Sequence, residues 1–205
     1  MPLREKSPTA LLFLALGLGL VVRLLYLSAS RQSPFYEPLL LDPAYYHGWA
    51  LQILKGEWGD GVFYGLPLYP FFLAACYKVF NFSIFAVKLI QAGLGLVTLY
   101  FIYKISEKIA DHKTALLAVF FGAVYGPLFF HENLFIAESL ALPIYAAAFY
   151  IACLFSDAPD FRKGVLLGFL FGLAALAKAG IFLFVLFFFV VIAFKDAVSG
   201  SNKYS

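Results

Sequence analysis

Carboxylate, phenol, imidazole and indole side chains are concentrated in one short stretch, Leu41-Asp42-Pro43-Ala44-Tyr45-Tyr46-His47-Gly48-Trp49-Ala50. A carboxylate such as Asp42 can deprotonate an acceptor hydroxyl as a general base. His47, which lies about one helical turn further along, could assist proton transfer or bind the acceptor. The stretch is therefore our first candidate for a reactive site.

A plainer interpretation of the same stretch stays open. Asp-Pro is a good helix start, because Asp42 can accept hydrogen bonds from free backbone N–H groups and Pro43 suits the first helical position. Tyr45, Trp49 and Ile53 then recur on one helix face. A helix that lies on a membrane surface would show this pattern without catalysing anything.

The composition indicates a polytopic all-α membrane protein. The 205 residues are 63% hydrophobic and 13% charged, whereas soluble domains carry about 25% charged residues. The net charge of +3 is small, and the basic residues flank apolar runs, so nothing indicates a nucleic-acid partner. Cys76 and Cys153 lie in apolar surroundings and are expected to be packing residues rather than a disulfide.

Apolar runs predict about six membrane spans. A helix needs roughly 20 residues to cross a bilayer. The last run contains Lys178-Ala179-Gly180, which we interpret as a turn between two short spans. The predicted runs are 9–28, 82–103, 114–130, 134–155 and the divided run 164–194.

The outer loop 29–81 is too polar to span a membrane and is predicted to contain two surface helices. The first covers Asp42 to Lys55 and is ended by Gly56. The second covers Leu73 to Phe80, after prolines that suit its first turn. Residues 1–195 are expected to form one transmembrane module, and the Ser/Gly/Asn-rich segment 196–205 is expected to be a disordered tail.

Basic residues predict the orientation of the chain. With a cytoplasmic N-terminus, the loop that carries Asp42, the His131 turn and Lys178 all face outward. This places the polar features on one face of an inner membrane. The residues that would then lie on the inner side are Arg4, Lys6, Lys104, Lys108, Lys113, Arg162, Lys163, Lys195 and Lys203.

Four ionisable groups converge on the outer face in this arrangement: Arg23, Asp42, Glu138 and Lys178. Charged groups at the membrane edge are costly unless they are paired or functional. The two cations could simply neutralise the two carboxylates. They could instead hold a lipid phosphate while a carboxylate acts on a neighbouring acceptor.

The sequence also leaves a divalent cation open. Asp42 could share such a cation with His131 and Glu132, which lie close to Glu138 in the sequence. None of these groups has the spacing of a metal motif, so the metal ligands are unknown.

Several segments together resemble the C-type membrane glycosyltransferases, and more narrowly the bacterial branch of the dolichyl-phosphate-mannose–protein mannosyltransferase family. The resemblance extends over nearly the whole chain. It rests on the order of four segments: Asp42-x-x-Tyr45-Tyr46-His47-x-Trp49-Ala50, Gly65-x-Pro67-Leu68-Tyr69-Pro70, Glu138-Ser139-Leu140 and Gly172-Leu173-Ala174-Ala175-Leu176-Ala177-Lys178.

This resemblance implies a sugar donor linked to polyprenyl phosphate and an inverting transfer to a lipid or protein acceptor. The carboxylate of the first outer loop is the family's catalytic group, which corresponds to Asp42. Glu138 corresponds to the second acidic motif and would support the acceptor or a cation. Substrate-binding roles follow for Arg23, Tyr45, Tyr46, His47 and Lys178, although Lys178-Ala179 stands where family members usually have Arg-Pro.

Family members are much longer than this chain, which keeps other functions open. The chain could be a lipid-binding or scaffold module without catalytic activity. It could also be half of a split enzyme whose missing helices come from a second chain.

Overall fold

The chain is a bundle of helices in the computed structural model. The structure describes residues 8–38, 40–57 and 65–201, and within these ranges it describes side chains from residue 9 to residue 191. Within these ranges the regular structure is entirely helical. The helices are α1 (Pro8–Ser30), α2 (Leu41–Lys55), α3 (Leu68–Phe80), α4 (Ile84–Ile109), α5 (His112–Val124), α6 (Gly126–Glu132), α7 (Glu138–Asp157), α8 (Phe161–Ala177) and α9 (Ile181–Ser201).

Three helices in the described ranges are long and apolar enough to cross a membrane, namely α1, α4 and α7. The number rises to four if α5 and α6 together form one bent span. The predicted all-α membrane architecture is confirmed at this level. The predicted count of six is not confirmed, because the divided run forms two short helices. Helix α8 has 17 residues, and Ile181–Val191 of α9 is a shorter apolar helix.

Helix α4 lies at the centre of the bundle and contacts α1, α3, α5, α6 and α7. Where α1, α4 and α5 meet, small side chains such as Ala115 and Ala123 are completely buried beside Leu99. Small residues let membrane helices approach closely, and this favours packing where the hydrophobic effect between helices is weak. Ser83 caps the start of α4 by accepting a hydrogen bond from the Ala86 N–H at 3.2 Å.

The predicted continuous span over 114–130 is wrong in one respect, because the chain bends by 58° between α5 and α6. The cause is local. Tyr125 leaves the helical region, and Pro127 lies in the first turn of α6, where its missing N–H costs nothing. The residues predicted as a polar turn are partly helical, since His131 and Glu132 form the end of α6.

The bend brings Glu132 to Arg23 inside the bundle. Arg23 Nε and Nη2 donate to the two Glu132 carboxylate oxygens at 2.6 and 2.7 Å, and Arg23 Nη1 donates to the Gly19 carbonyl at 3.2 Å. Both side chains are almost fully buried. This two-point ion pair joins α1 to α6, and we refer to it as the Arg23–Glu132 pair.

Helix α2 begins one residue earlier than predicted and is not capped by Asp42. Leu40 is the N-cap residue, and no side chain caps the helix. Proline is tolerated throughout the first helical turn, since those N–H groups have no intrahelical partner, so Pro43 does not define the first position. The predicted end is confirmed, because Gly56 adopts the left-handed conformation at φ +78° and its N–H closes the last turn.

The sequence predictions for the C-terminal part of the chain have different outcomes. The break at Lys178 is confirmed, since α8 ends at Ala177 and α9 begins at Ile181. The tail predicted to be disordered from residue 196 is helical as far as Ser201. The basic N-terminus with Arg4 and Lys6, the loop glycines Gly59 and Gly61, and residues 202–205 lie outside the described residues.

Gly95 makes room for the Arg23–Glu132 pair. A Cβ atom at this position would lie 2.2 Å from the Glu132 carboxylate, whereas a Cβ at Gly93, on the same helix, would have nothing within 4 Å. We therefore expect Gly95→Ala to displace Glu132 from Arg23 and to destabilise the protein by about 3 kcal/mol, as for a broken buried ion pair.

Thermal unfolding in detergent, followed by circular dichroism, measures this effect. Gly93→Ala is the matched control and should be neutral or slightly stabilising, since alanine is a better helix former than glycine. Equal melting temperatures for the two variants would show that Gly95 does not position the ion pair.

Candidate functional site

The aromatic stretch identified in the sequence forms the packed face of α2. Tyr46 stacks edge-on against Tyr69 of α3 at 5.1 Å between ring centroids, and Trp49 is buried in the same hydrophobic cluster. The cluster extends to Phe135 and Ala137, just before α7. Helix α2 is thereby connected through α3 to the segment that leads to Glu138, because Tyr77 contacts both His47 and Phe135.

Gly65 lies against the Tyr46 ring and admits no larger residue without movement. A Cβ atom at Gly65 would lie 2.7 Å from Tyr46 Oη. The Gly65 N–H also donates a hydrogen bond to Tyr45 Oη at 3.4 Å. These contacts connect the first two sequence segments of the family resemblance through direct packing.

The His47 side chain forms a hydrogen bond with Tyr77 of α3. Its Nδ1 lies 2.6 Å from Tyr77 Oη, and the two rings are edge-on at 5.6 Å. Burial lowers the pKa of His47 and raises the pKa of Tyr77. A neutral imidazole that accepts the Tyr77 proton at Nδ1 carries its own proton on Nε2, so Nε2–H is the donor left for an external group.

Asp42 differs from its aromatic neighbours, because its side chain is exposed in the first turn of α2. Among the residues that the structure describes, it makes no hydrogen bond or ion pair. The preceding residue, Leu41, has a positive φ of 53°, which is strained for a leucine. Asp42 is therefore a solvated carboxylate on a helix that is fixed through its other face.

Glu138 and Lys178 form an ion pair between the first turn of α7 and the break that separates α8 from α9. Both side chains are partly exposed. Tyr145 Oη donates to the Lys178 carbonyl at 2.6 Å, which fixes the backbone at the break. The sequence placed these two charges on one face, and the structure brings them into contact.

Arg23 does not join this pair. The sequence left open that Arg23 would neutralise Asp42 or Glu138, and the structure pairs it with Glu132 instead. Glu132 ends α6 only a short segment before Glu138 begins α7, so both ion pairs lie at one end of the bundle. We call it the Glu138 end; the opposite end carries the Lys108–Asp157 pair.

Gln91 connects the aromatic cluster to the Glu138 end. It is fully buried in α4 and accepts a hydrogen bond from Tyr69 Oη at 2.7 Å. Its amide nitrogen donates to the carbonyls of Glu132 and Leu134 at 2.6 and 2.8 Å. Two carbonyl groups that would otherwise be unsatisfied at the end of α6 are thus bonded.

Sequence reasoning missed the roles of Glu132, Gln91 and Lys88. One signal was available: Gln91 and Lys88 are polar residues inside a predicted span, where polar groups are costly and commonly functional. Glu132 was noted only for a shared metal. In the part of the chain that the structure describes, no three metal-ligating side chains come together, so the cation hypothesis gains no support.

The His47 pKa predicts how stability depends on pH. Because the folded-state pKa lies below the ordinary value of 6.5, the unfolded chain takes up a proton more readily than the folded chain. Stability should therefore fall as the pH is lowered through about 6.5. We expect the melting temperature to decrease between about pH 7.5 and about pH 5.

Replacement of the imidazole should reduce this dependence. His47→Gln should show a flatter profile of melting temperature against pH, whatever its stability at neutral pH. His131→Gln, at an exposed histidine, is the matched control and should keep the wild-type profile. If His47→Gln and the wild type lose stability in parallel, His47 is not the responsible group.

A family model described as dolichyl-phosphate-mannose-protein mannosyltransferase matches residues 65–203, which is more than half of the chain. The match begins at Gly65, so α2 and Asp42 precede it. No curated protein and no solved structure matches the chain significantly. The chain belongs to the dolichyl-phosphate-mannose-protein mannosyltransferase family, a family of membrane glycosyltransferases.

Proposed function

We propose that this protein transfers a sugar from a polyprenyl-phosphate-linked donor to a lipid or protein acceptor, with inversion, and that Asp42 is the general base. The proposal rests on one observation above the others. In a chain of a glycosyltransferase family, an exposed carboxylate stands on a helix whose aromatic residues share one hydrophobic cluster with the segment leading to Glu138.

The reaction needs a base that can reach an acceptor hydroxyl. The exposed side chain of Asp42 meets this need. Asp42 would take the hydroxyl proton while the acceptor oxygen attacks the anomeric carbon from the face opposite the phosphate. The bond between the anomeric carbon and the phosphate oxygen then breaks, and the polyprenyl phosphate leaves with the bonding electrons.

We assign Glu138 and Lys178 roles in substrate binding, in addition to Asp42 as the base. Lys178 would approach the donor phosphate, and Glu138 would support the acceptor or a cation. Their ion pair is partly exposed, so an incoming phosphate can compete for the Lys178 ammonium. Tyr45 and the Nε2–H of His47 are polar groups on α2 that could contact the acceptor, while Tyr46 is buried in packing.

We assign Arg23 a different role from the substrate-binding role that the resemblance implied. Its guanidinium is occupied by the Glu132 carboxylate and the Gly19 carbonyl. We assign it the positioning of α6, and through α6 of the segment before Glu138. Donor binding through Arg23 would require a buried ion pair to open.

The proposal places the protein in the inner membrane with a cytoplasmic N-terminus and the Glu138 end facing outward. The basic residues that flank the spans support this orientation. Residues 1–195 would act as one transmembrane module, and a second chain could supply further helices.

A second candidate is a lipid-binding or scaffold module without catalytic activity. One observation favours it. Within each ion pair, Arg23–Glu132 and Glu138–Lys178, the cation and the carboxylate neutralise each other. In this case the protein would bind a polyprenyl-phosphate lipid but leave the sugar in place.

Asp42→Asn tests the proposed reaction directly. The amide keeps the shape of the side chain but cannot accept the proton, so we expect at least a hundredfold loss of transfer. The measurement is the release of free polyprenyl phosphate from a labelled polyprenyl-phosphate sugar in proteoliposomes, with membrane extract as the acceptor source.

Glu37→Gln is the matched control, because Glu37 is an exposed carboxylate in the same loop; it should keep wild-type transfer. Wild-type rates in Asp42→Asn would refute the role of Asp42. Donor binding without turnover in the wild type would favour the non-catalytic module.

A further inference from the structure

Lys88 is a buried cation without an anionic partner in the part of the chain that the structure describes. It lies in the second turn of α4 and is only 2% exposed. Its Nζ atom makes no hydrogen bond. The centroid of the Tyr36 ring lies 4.3 Å from Nζ. Its π face attracts the ammonium, but the ring has no net charge that could neutralise it.

The Lys88 side chain lines a small cavity at the Glu138 end of the bundle. Arg23, Tyr26, Phe129, Glu132 and Asn133 line the same cavity. Its enclosed part has room for about one water-sized atom. Asn133 adds an amide that can donate hydrogen bonds, so the cavity is polar on several sides.

The charges around this cavity do not balance. Glu132 is already matched by Arg23 through two short hydrogen bonds. Among the described residues, the Lys88 ammonium is therefore in excess, in a helix that is long and apolar enough to cross a membrane. Buried charges in such segments are expensive unless they are paired, and those that persist commonly bind a ligand.

We propose that this cavity binds a phosphate group, with one phosphoryl oxygen accepting a hydrogen bond from Lys88 Nζ. A single oxygen fits the enclosed volume, while the rest of the group would remain at the mouth of the cavity. The phosphate can be the headgroup of a lipid or free phosphate, since both present the same oxygen. The inference does not require that the protein transfers sugar.

The two cations assigned to phosphate from the sequence do not fill this role in the cavity. Arg23 is held by Glu132, and Lys178 does not line the cavity. Lys88 needs no ion pair to open before it binds an anion. Its burial also strengthens the attraction, because charges interact more strongly where water is excluded.

The test compares a polyprenyl monophosphate with the corresponding polyprenol in binding to purified full-length protein in phosphate-free detergent. We expect the wild type to bind the phosphate at least about tenfold more tightly than the alcohol. Lys88→Met should remove this preference and leave binding of the alcohol unchanged. Lys78→Met is the matched control at an exposed lysine and should keep it.

Inorganic phosphate distinguishes the two sources. If it displaces the polyprenyl monophosphate from the wild type but has no effect on Lys88→Met, the site also takes free phosphate. If it does not compete, the site requires the lipid. Both results support the site, provided that Lys88→Met has lost its preference.

Two results would overturn the proposal. One is a wild type that binds monophosphate and alcohol equally, and this result does not depend on the folding of any variant. The other is an unchanged preference in a folded Lys88→Met protein. Phosphate binding through Lys88 without sugar transfer would refute the proposed function and leave this site intact, so the two failures can be told apart.

Discussion

The buried Arg23–Glu132 pair is the interaction on which the Glu138 end of the bundle depends. A guanidinium and a carboxylate that are nearly free of solvent are stable only together, because removal of one leaves the other as an uncompensated buried charge. Three features of the fold serve this pair. The bend at Tyr125 directs α6 toward α1, Gly95 leaves space for the carboxylate, and Gln91 bonds the carbonyls where α6 ends. The start of α7, with Glu138, is placed as a consequence.

The ion pairs of this end differ in how readily a ligand can open them. Breaking a buried pair costs about 3–5 kcal/mol, whereas an exposed pair contributes about 0–1 kcal/mol. A phosphate can therefore exchange with Glu138 for Lys178 but has little access to Arg23. Release of Glu138 by such an exchange would free a second carboxylate only when a phosphate is present. Asp42 needs no such release, because it is already solvated.

Local sequence signals predicted the elements of this fold better than their contacts. The end of α2 at Gly56 and the break between α8 and α9 at Lys178 were predicted correctly. Each depends only on the conformational preferences of a few neighbouring residues. The bend at Tyr125 was missed since Gly126-Pro127 sits within an apolar run that otherwise has the length of a span. The partner of Arg23 was also beyond reach: hydropathy shows that a charge needs a partner, but only the packed helices select Glu132 among several carboxylates.

Lys88 shows why the distribution of charge matters more than its amount. In the sequence it is one of 15 basic residues and lies near the start of a span, where a lysine could extend to the membrane surface. The packing of α1 and α6 beside α4 removes that route, so the ammonium is enclosed with a pair that is already neutral. A sequence pattern cannot reveal this excess, because it arises only after every other charge in the cavity has been assigned a partner.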